Sequence, residues 1–117
     1  MAHNDQDFHL HAGDESPLAF TVTDEATGAA VDLSAVTEIT WALAADAESA
    51  ALVTKTKTGG DITVTDAVNG KFEVALDSAD TDGLNGRYWH EAVIVDGAGK
   101  RFTVATGEAR VYPTVVS

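Results

Sequence analysis

Two histidines with the spacing of a metal-binding pair lie near the start of the chain. His9 and His11 are two residues apart. On a β-strand their rings point to the same side, as in a zinc or nickel pair, and His3 or a carboxylate would be a third ligand. The alternative is two exposed polar residues that alternate with a buried Phe8 and Leu10. The alternation favours this second interpretation, so the pair alone does not predict a metal site.

A group of aspartates suggests calcium. Asp77, Asp80 and Asp82 precede Gly83, and carboxylate oxygens are the ligands that Ca²⁺ prefers. Placing Asp80 and Asp82 at the third and fifth positions of an EF-hand puts Trp89 at the twelfth, where the bidentate glutamate should stand. The EF-hand motif therefore fails. A looser calcium site at Asp80 and Asp82 stays open beside the alternative of turn chemistry, in which Asp side chains accept hydrogen bonds from nearby backbone.

Groups for covalent catalysis are not found. The chain contains no cysteine, which excludes cysteine nucleophiles, thiolate metal sites and disulfides. It has no Gly-x-Ser-x-Gly elbow, and residues 97–100 lack the spacing of a phosphate loop and indicate a hairpin turn. His90 and Glu91 are adjacent, so on a strand they face opposite sides and cannot act on one substrate. We therefore expect the protein not to be an enzyme.

Length and charge restrict the partners. The 117 residues suit one domain over residues 1–117, with residues 1–7 as a polar N-terminal arm. A net charge of −12 argues against nucleic acid and against an anionic membrane surface. No apolar run is long enough for a membrane helix, and residues 1–7 do not have the pattern of a signal peptide. We expect synthesis in the cytoplasm and no nucleic-acid or membrane partner.

The elements that must position these residues are strands. Apolar residues alternate with polar ones along most of the chain, with β-branched residues enriched and turns between the runs. The clearest runs are residues 39–43, 72–76 and 88–95, and a closing strand is predicted over 102–112 with an interruption near Gly107. Asn69-Gly70 is a strong hairpin signal, since both residues tolerate positive φ. The pattern predicts an all-β, antiparallel sandwich of about seven to nine short strands.

One corner of the sequence points to a more specific architecture. Tyr88 follows the acidic, glycine-containing stretch 77–86 and begins a predicted strand. This resembles the tyrosine corner of immunoglobulin-like domains, and Trp41 lies on an earlier strand, where such domains often bury a tryptophan. His90 stands where antibody-type domains have a cysteine, so we expect a buried, neutral, hydrogen-bonded histidine. With Tyr88 directed inward, Trp89 points outward and becomes a possible contact surface for protein or sugar, or lies buried under a loop.

A series of short motifs in a consistent order extends the resemblance. They are Gly13-Asp14, Phe20-Thr21-Val22-Thr23-Asp24, Val31-Asp32-Leu33-Ser34, Ile39-Thr40-Trp41, Asp80-Thr81, Gly86-Arg87-Tyr88-Trp89-His90-Glu91 and Gly107-Glu108-Ala109-Arg110-Val111. Over about residues 8–113, the chain is similar to the small immunoglobulin-like virion proteins of tailed phages, such as the N-terminal domain of baseplate upper proteins. The resemblance implies a structural role in capsid decoration, tail, baseplate or fibre, and it brings no catalytic residues.

The expected function follows from the resemblance and the charge together. We expect a non-enzymatic component of a tailed-phage virion, made in the host cytoplasm and acting through contacts with other capsid or tail proteins. It would be a homo-oligomer or be present in many copies, without a cofactor unless calcium binds. The alternative is an immunoglobulin-like adhesion module that binds a host-surface glycan or receptor, with Trp89 in the contact.

Overall fold

The structure, a computed structural model, describes residues 4–5, 7–24 and 26–113. Within these residues it has nine strands and one short helix, which confirms the prediction of an all-β sandwich. The strands are β1 (Asn4–Asp5), β2 (Phe8–His11), β3 (Leu18–Thr21), β4 (Glu38–Ala44), β5 (Ala51–Thr56), β6 (Ile62–Asp66), β7 (Lys71–Val74), β8 (Gly86–Val95) and β9 (Arg101–Tyr112), and the helix α1 (Ser78–Thr81) precedes β8.

The strands form two sheets. The larger sheet has the order β1-β9-β8-β4-β5, and β2 also pairs with β9; the smaller sheet has the order β3-β7-β6. β1 and β2 run parallel to β9, whereas the other pairs are antiparallel. Because antiparallel sheets can face water on one side, this arrangement suits the alternating apolar and polar residues of the strands.

The core lies between the two sheets and consists of the inward residues of the alternating runs. Burial of each large apolar side chain contributes roughly 1.5–3 kcal/mol before the entropy of folding is subtracted. The largest side chains in it are Phe20, Leu33, Ile39, Trp41, Leu43, Ile62, Phe72, Leu76 and Ile94. The predicted buried faces of β4 and β7 are therefore confirmed.

The two sheets differ in length. β8 and β9 have 10 and 12 residues, whereas β3, β6 and β7 have 4, 5 and 4. At about 3.3 Å per residue, the β8–β9 hairpin extends well past the smaller sheet, in a molecule that measures 44 × 26 × 23 Å. Where β8 ends, the hairpin faces the irregular segments 22–24 and 26–37 instead of a second sheet.

The predicted interruption of β9 near Gly107 is wrong. Gly107 lies within the strand, directly opposite His90. Directly opposite residues share a face, so a side chain at position 107 would point into the core beside the His90 ring. The irregularity lies at Val104 of β9: Ala92 and Val93 of β8 pair with Ala105 and Thr103, so Val104 is an extra residue in the ladder.

The predicted hairpin at Asn69-Gly70 is confirmed, with a different loop. Asp66 pairs with Lys71, so residues 67–70 form a four-residue connection between β6 and β7. Of the four residues in this connection, only Gly70 has positive φ, at 71°. A Cβ atom there would lie 2.5 Å from the Val22 carbonyl oxygen and 2.8 Å from that of Val31, so the loop requires glycine.

Part of the expected N-terminal arm belongs to the larger sheet. β1 pairs with Ala105 and Thr106 of β9, and a carboxylate oxygen of Asp7 accepts a hydrogen bond from the Glu108 amide at 2.8 Å. Residues 1–3 and 6 of the arm lie outside the described part of the chain, as does the third metal ligand considered above, His3. Among the described residues, no helix is both long and apolar enough to cross a bilayer.

Candidate functional site

Trp41 and His90 form the polar centre of the core. The Trp41 indole Nε1 donates a hydrogen bond to His90 Nδ1 at 3.3 Å, and the exposed fractions of these residues are 1% and 0%. The rings of Phe8 and Phe20 lie 4.7 and 5.6 Å from the His90 ring. Since Nδ1 accepts this bond, the neutral ring carries its proton on Nε2. The predicted burial and hydrogen bonding of His90 are confirmed, and the contact is structural.

Tyr88 makes the corner contact that its position predicts. Its ring packs against the core. The Asn85 amide donates to the Tyr88 hydroxyl oxygen at 3.0 Å, and the hydroxyl donates to the Asn85 carbonyl oxygen at 3.3 Å. These bonds fix the chain as it enters β8, and the alternation of that strand then places His90 on the inner face and Trp89 on the outer face.

The helix α1 organises the acidic corner through reciprocal capping. The Asp77 amide donates to Asp80 Oδ2 at 2.7 Å, and the Asp80 amide donates to the Asp77 carbonyl oxygen at 3.0 Å. Thr81 is buried, and its hydroxyl oxygen accepts a bond from the Gly13 amide at 2.9 Å. The corner is therefore tied to the β2–β3 turn. Asp82 is exposed at the C-terminal cap.

Asp80 has a partner that the sequence analysis missed. Lys55 Nζ lies 2.8 Å from Asp80 Oδ2 and 3.9 Å from Asp77 Oδ2. The Lys55 side chain is only 9% exposed, because position 55 pairs with Trp41 and so faces inward. The signal was available: Val53 and Lys55 share one face of the alternating strand. Asp80 is therefore engaged by an ammonium group, and the described residues contain no group of three His, Cys, Asp or Glu placed to hold a metal.

His9 and His11 lie against an aromatic ring. The Tyr112 ring is 5.8 Å from the His9 ring and 5.6 Å from the His11 ring, so both histidines are on one side of β2, as predicted. The Arg110 guanidinium lies 5.0 Å from the centre of the same Tyr112 ring, within the range of a cation–π contact. We call His9, His11, Arg110 and Tyr112 the Tyr112 cluster.

Arg110 is incompletely bonded. Its Nε is shielded from solvent and has no hydrogen-bond partner among the described residues. An unsatisfied buried donor costs about 1–3 kcal/mol. The neighbouring Arg87, which pairs with Arg110 across the sheet, instead binds Glu108 at 3.2 Å. The Tyr112 cluster thus contains a cation whose Nε lacks an acceptor among the described residues, on a protein of net charge −12.

Trp89 lies on the same outer face as the cluster. It pairs with Ala44 of β4 on one side and with Glu108 of β9 on the other. Glu108 and Arg110 are two residues apart on β9, so both lie on this outer face. The Trp89 side chain is half-buried, so only part of it is accessible to a binding partner. The outward orientation agrees with the sequence analysis, but the grouping with Arg110 and Tyr112 was not predicted.

A comparison of the chain with protein-family models found no match, and a comparison with curated proteins also found none.

Proposed function

We propose that this protein is a non-enzymatic, immunoglobulin-like structural component of a tailed-phage virion, on the capsid surface or in the tail, baseplate or fibre region. It acts through protein–protein contacts at the outer face of the larger sheet. The observation that carries the contact is the Tyr112 cluster, in which the Arg110 guanidinium lies over the Tyr112 ring and its Nε has no hydrogen-bond partner among the described residues. Location in the virion rests on the sequence resemblance of residues 8–113.

The residue types of this face support a protein contact. Tyrosine, tryptophan and arginine are the residues that most often carry the binding energy of interfaces. The Tyr112 ring holds the Arg110 guanidinium beside the sheet, so little side-chain entropy is lost when a partner binds it. A carbonyl or carboxylate of the partner would bind the terminal N–H groups of the Arg110 guanidinium, since Nε itself is shielded from solvent.

The strand order supports the immunoglobulin-like part of the proposal. The smaller sheet, β3-β7-β6, corresponds to strands B, E and D of such domains, and β9-β8-β4-β5 corresponds to G, F, C and C′. The Tyr88 contact lies between the strands that correspond to E and F, where immunoglobulin-like domains have their tyrosine corner.

The test measures mass in solution, first for the protein alone and then after mixing with purified phage particles stripped of it. We expect rebinding at a fixed copy number per particle. Arg110→Ala should weaken rebinding by roughly thirtyfold, since the loss of a hot-spot side chain costs about 2 kcal/mol. Arg101→Ala is the matched control, because Arg101 is exposed at the other end of β9. Arg101→Ala should melt within about 2 °C of the parent protein, and Arg110→Ala should melt no more than about 4 °C lower, because removal of the buried donor offsets the lost contact with Tyr112.

Two outcomes would contradict the proposal. Equal rebinding of the Arg110 and Arg101 variants would show that the Tyr112 cluster is not part of the contact. A monomer that ignores particles but is retained by host cells or immobilised glycan would indicate the adhesion module. The half-buried Trp89, on the same outer face of the sheet, is the feature that would then bind sugar.

A further inference from the structure

The unequal lengths of the two sheets leave a cavity at the end of the sandwich where β8 meets β9. It has a volume of about 530 Å³ and lies between the connection 22–37 and the β8–β9 hairpin. Ile94, Phe102 and Val104 contribute from the hairpin, and Val31 and Val36 contribute from the connection. The volume is in the range of ligand-binding pockets, roughly 300–1,000 Å³. Ile94 and Val104 are buried at the base of the cavity, whereas Phe102, Val31 and Val36 are partly exposed and form its accessible apolar surface.

Three aspartates from three separate turns also line this cavity: Asp24, Asp32 and Asp96. Asp96 Oδ1 accepts bonds from the amides of Ala98 and Lys100, both at 2.9 Å.

The other two carboxylates are held in the same way. Asp32 Oδ1 accepts a bond from the Ser34 amide at 2.8 Å, and Asp24 Oδ1 accepts one from the Ala26 amide at 2.8 Å. Hydrogen bonds from the Ser34 hydroxyl and amide lower the pKa of Asp32. Among the described residues that line the cavity there is no lysine, arginine or histidine, so negative charge is fixed beside an apolar floor.

We propose that this cavity binds a basic peptide segment of a partner protein, with one or two large apolar side chains in the cavity and flanking lysines or arginines at the three aspartates. The apolar floor supplies the burial, and the carboxylates select the charge of the flanks. Three carboxylates on three turns suit a chain with several cations better than a small molecule with one. The net charge of −12 steers such a segment toward the protein.

The inference rests on the proposed function, because it names the chemistry of a second virion contact. The cavity is at the opposite end of β9 from the Tyr112 cluster, since Phe102 lies near the start of that strand and Tyr112 ends it. The two contacts can therefore be tested independently.

The first experiment is an NMR titration of the ¹⁵N-labelled protein with three capped peptides, Lys-Phe-Leu-Lys, Glu-Phe-Leu-Glu and Lys-Ala-Ala-Lys. We expect the first to bind at least about tenfold more tightly than the other two, with affinity falling as salt is added. The shifted amides should be those of Val36, Ile94 and Phe102, without shifts at His11 or Tyr112. Equal binding of the three peptides, or shifts confined to other surfaces, would overturn the proposal. Hexylammonium binding as tightly as the first peptide would overturn its assignment to a peptide.

Variants sharpen the result. Ala35→Phe places a ring in the cavity from an exposed position and should abolish binding of the first peptide. Asp96→Asn keeps an acceptor for the turn but removes the charge, and it should weaken binding by roughly fivefold. Asp82→Asn is the matched control, because Asp82 is exposed outside the cavity. Unchanged affinity of the Ala35 variant would show that the peptide binds elsewhere.

Rebinding to stripped particles separates the two proposals. If Ala35→Phe rebinds like the parent protein while Arg110→Ala does not, the cavity inference fails and the virion role stands. If the parent protein does not bind particles but Lys-Phe-Leu-Lys still shifts the cavity amides, the virion role fails and the cavity remains a peptide site.

Discussion

At the scale of single residues, the ion pair between Lys55 and Asp80 makes the clearest test. Asp80→Asn preserves an acceptor for the Asp77 amide but leaves the Lys55 ammonium, 9% exposed, without its closest counter-ion. We expect the free energy of unfolding to fall by roughly 3 kcal/mol, as when one partner of a buried pair is removed. Urea denaturation at neutral pH measures it. Lys55→Met should cost less, because an apolar chain of similar length replaces the buried charge.

The exposed pair between Arg87 and Glu108 is the control. Its side chains are 70% and 45% exposed, so Glu108→Gln should change stability by less than about 1 kcal/mol. Equal losses for Asp80→Asn and Glu108→Gln would mean that burial does not distinguish the two pairs.

The ion pair between Lys55 and Asp80 also makes the stability of the fold depend on pH in the acid range. Burial by itself would raise the pKa of Asp80, but the hydrogen bonds from Lys55 and the Asp77 amide, with the Lys55 charge, lower the pKa below its ordinary value. A carboxyl group with a lowered folded-state pKa stabilises the fold above the unfolded value of about 3.9 and loses that contribution as the pH falls through the folded pKa. Melting temperatures of Asp80→Asn should therefore fall less steeply below about pH 4 than those of the parent protein. Parallel curves would contradict this.

Gly70 is the residue whose replacement should damage the β6–β7 connection most. Gly70→Ala combines positive φ with a Cβ atom 2.5 Å from the Val22 carbonyl oxygen, and we expect a loss of about 3 kcal/mol. Gly28→Ala is matched in φ, at 73°, but meets no atom within 4 Å, so only about 1 kcal/mol should be lost. Thermal denaturation of both variants compares them, and equal losses would show that the close contact is relieved at little cost.

At the scale of elements, the Tyr88 corner joins the second half of the chain to β8. Tyr88→Phe keeps the ring and removes both bonds to Asn85, so we expect a loss of about 1 kcal/mol. Tyr112→Phe provides the control, since the contacts of Tyr112 with Arg110, His9 and His11 involve its ring. Chemical denaturation distinguishes them, and a Tyr88 variant as stable as the Tyr112 variant would show that ring packing alone holds the corner.

The strands and their pairing also show which features of the fold can be predicted from the sequence. Period-two alternation is local, so it predicted the strands, the inward set of β4 and the opposite orientations of Trp89 and His90. Pairing partners are not local: nothing in residues 4–11 specifies a parallel ladder with β9. The Tyr112 cluster depends on that ladder, and so Arg110 and Tyr112 were missed although His9 and His11 were noted. The cavity depends on the difference in length between the sheets, which no single strand encodes.

At the scale of the whole molecule, the acidic surface should control stability. With a net charge of −12, carboxylates repel one another, and salt shortens the range of repulsion from about 30 Å at 0.01 M to about 10 Å at 0.1 M. We expect the melting temperature to rise between these conditions, and calcium to raise it at lower concentration than sodium. Replacing exposed Asp14 and Asp82 by Asn should reduce the rise. A melting temperature independent of salt would contradict the prediction.

The parallel pairing of β1 and β2 with β9 has a mechanical consequence. Tension applied between a point before β1 and a point after β9 pulls neighbouring strands in opposite directions along their length. Such shear loads the rungs of the ladder together, whereas pulling the two strands of the β8–β9 hairpin apart from their open end would break its rungs one after another. The domain should therefore yield at a higher force when stretched through its flanking segments than when the hairpin is peeled open, whatever its melting temperature.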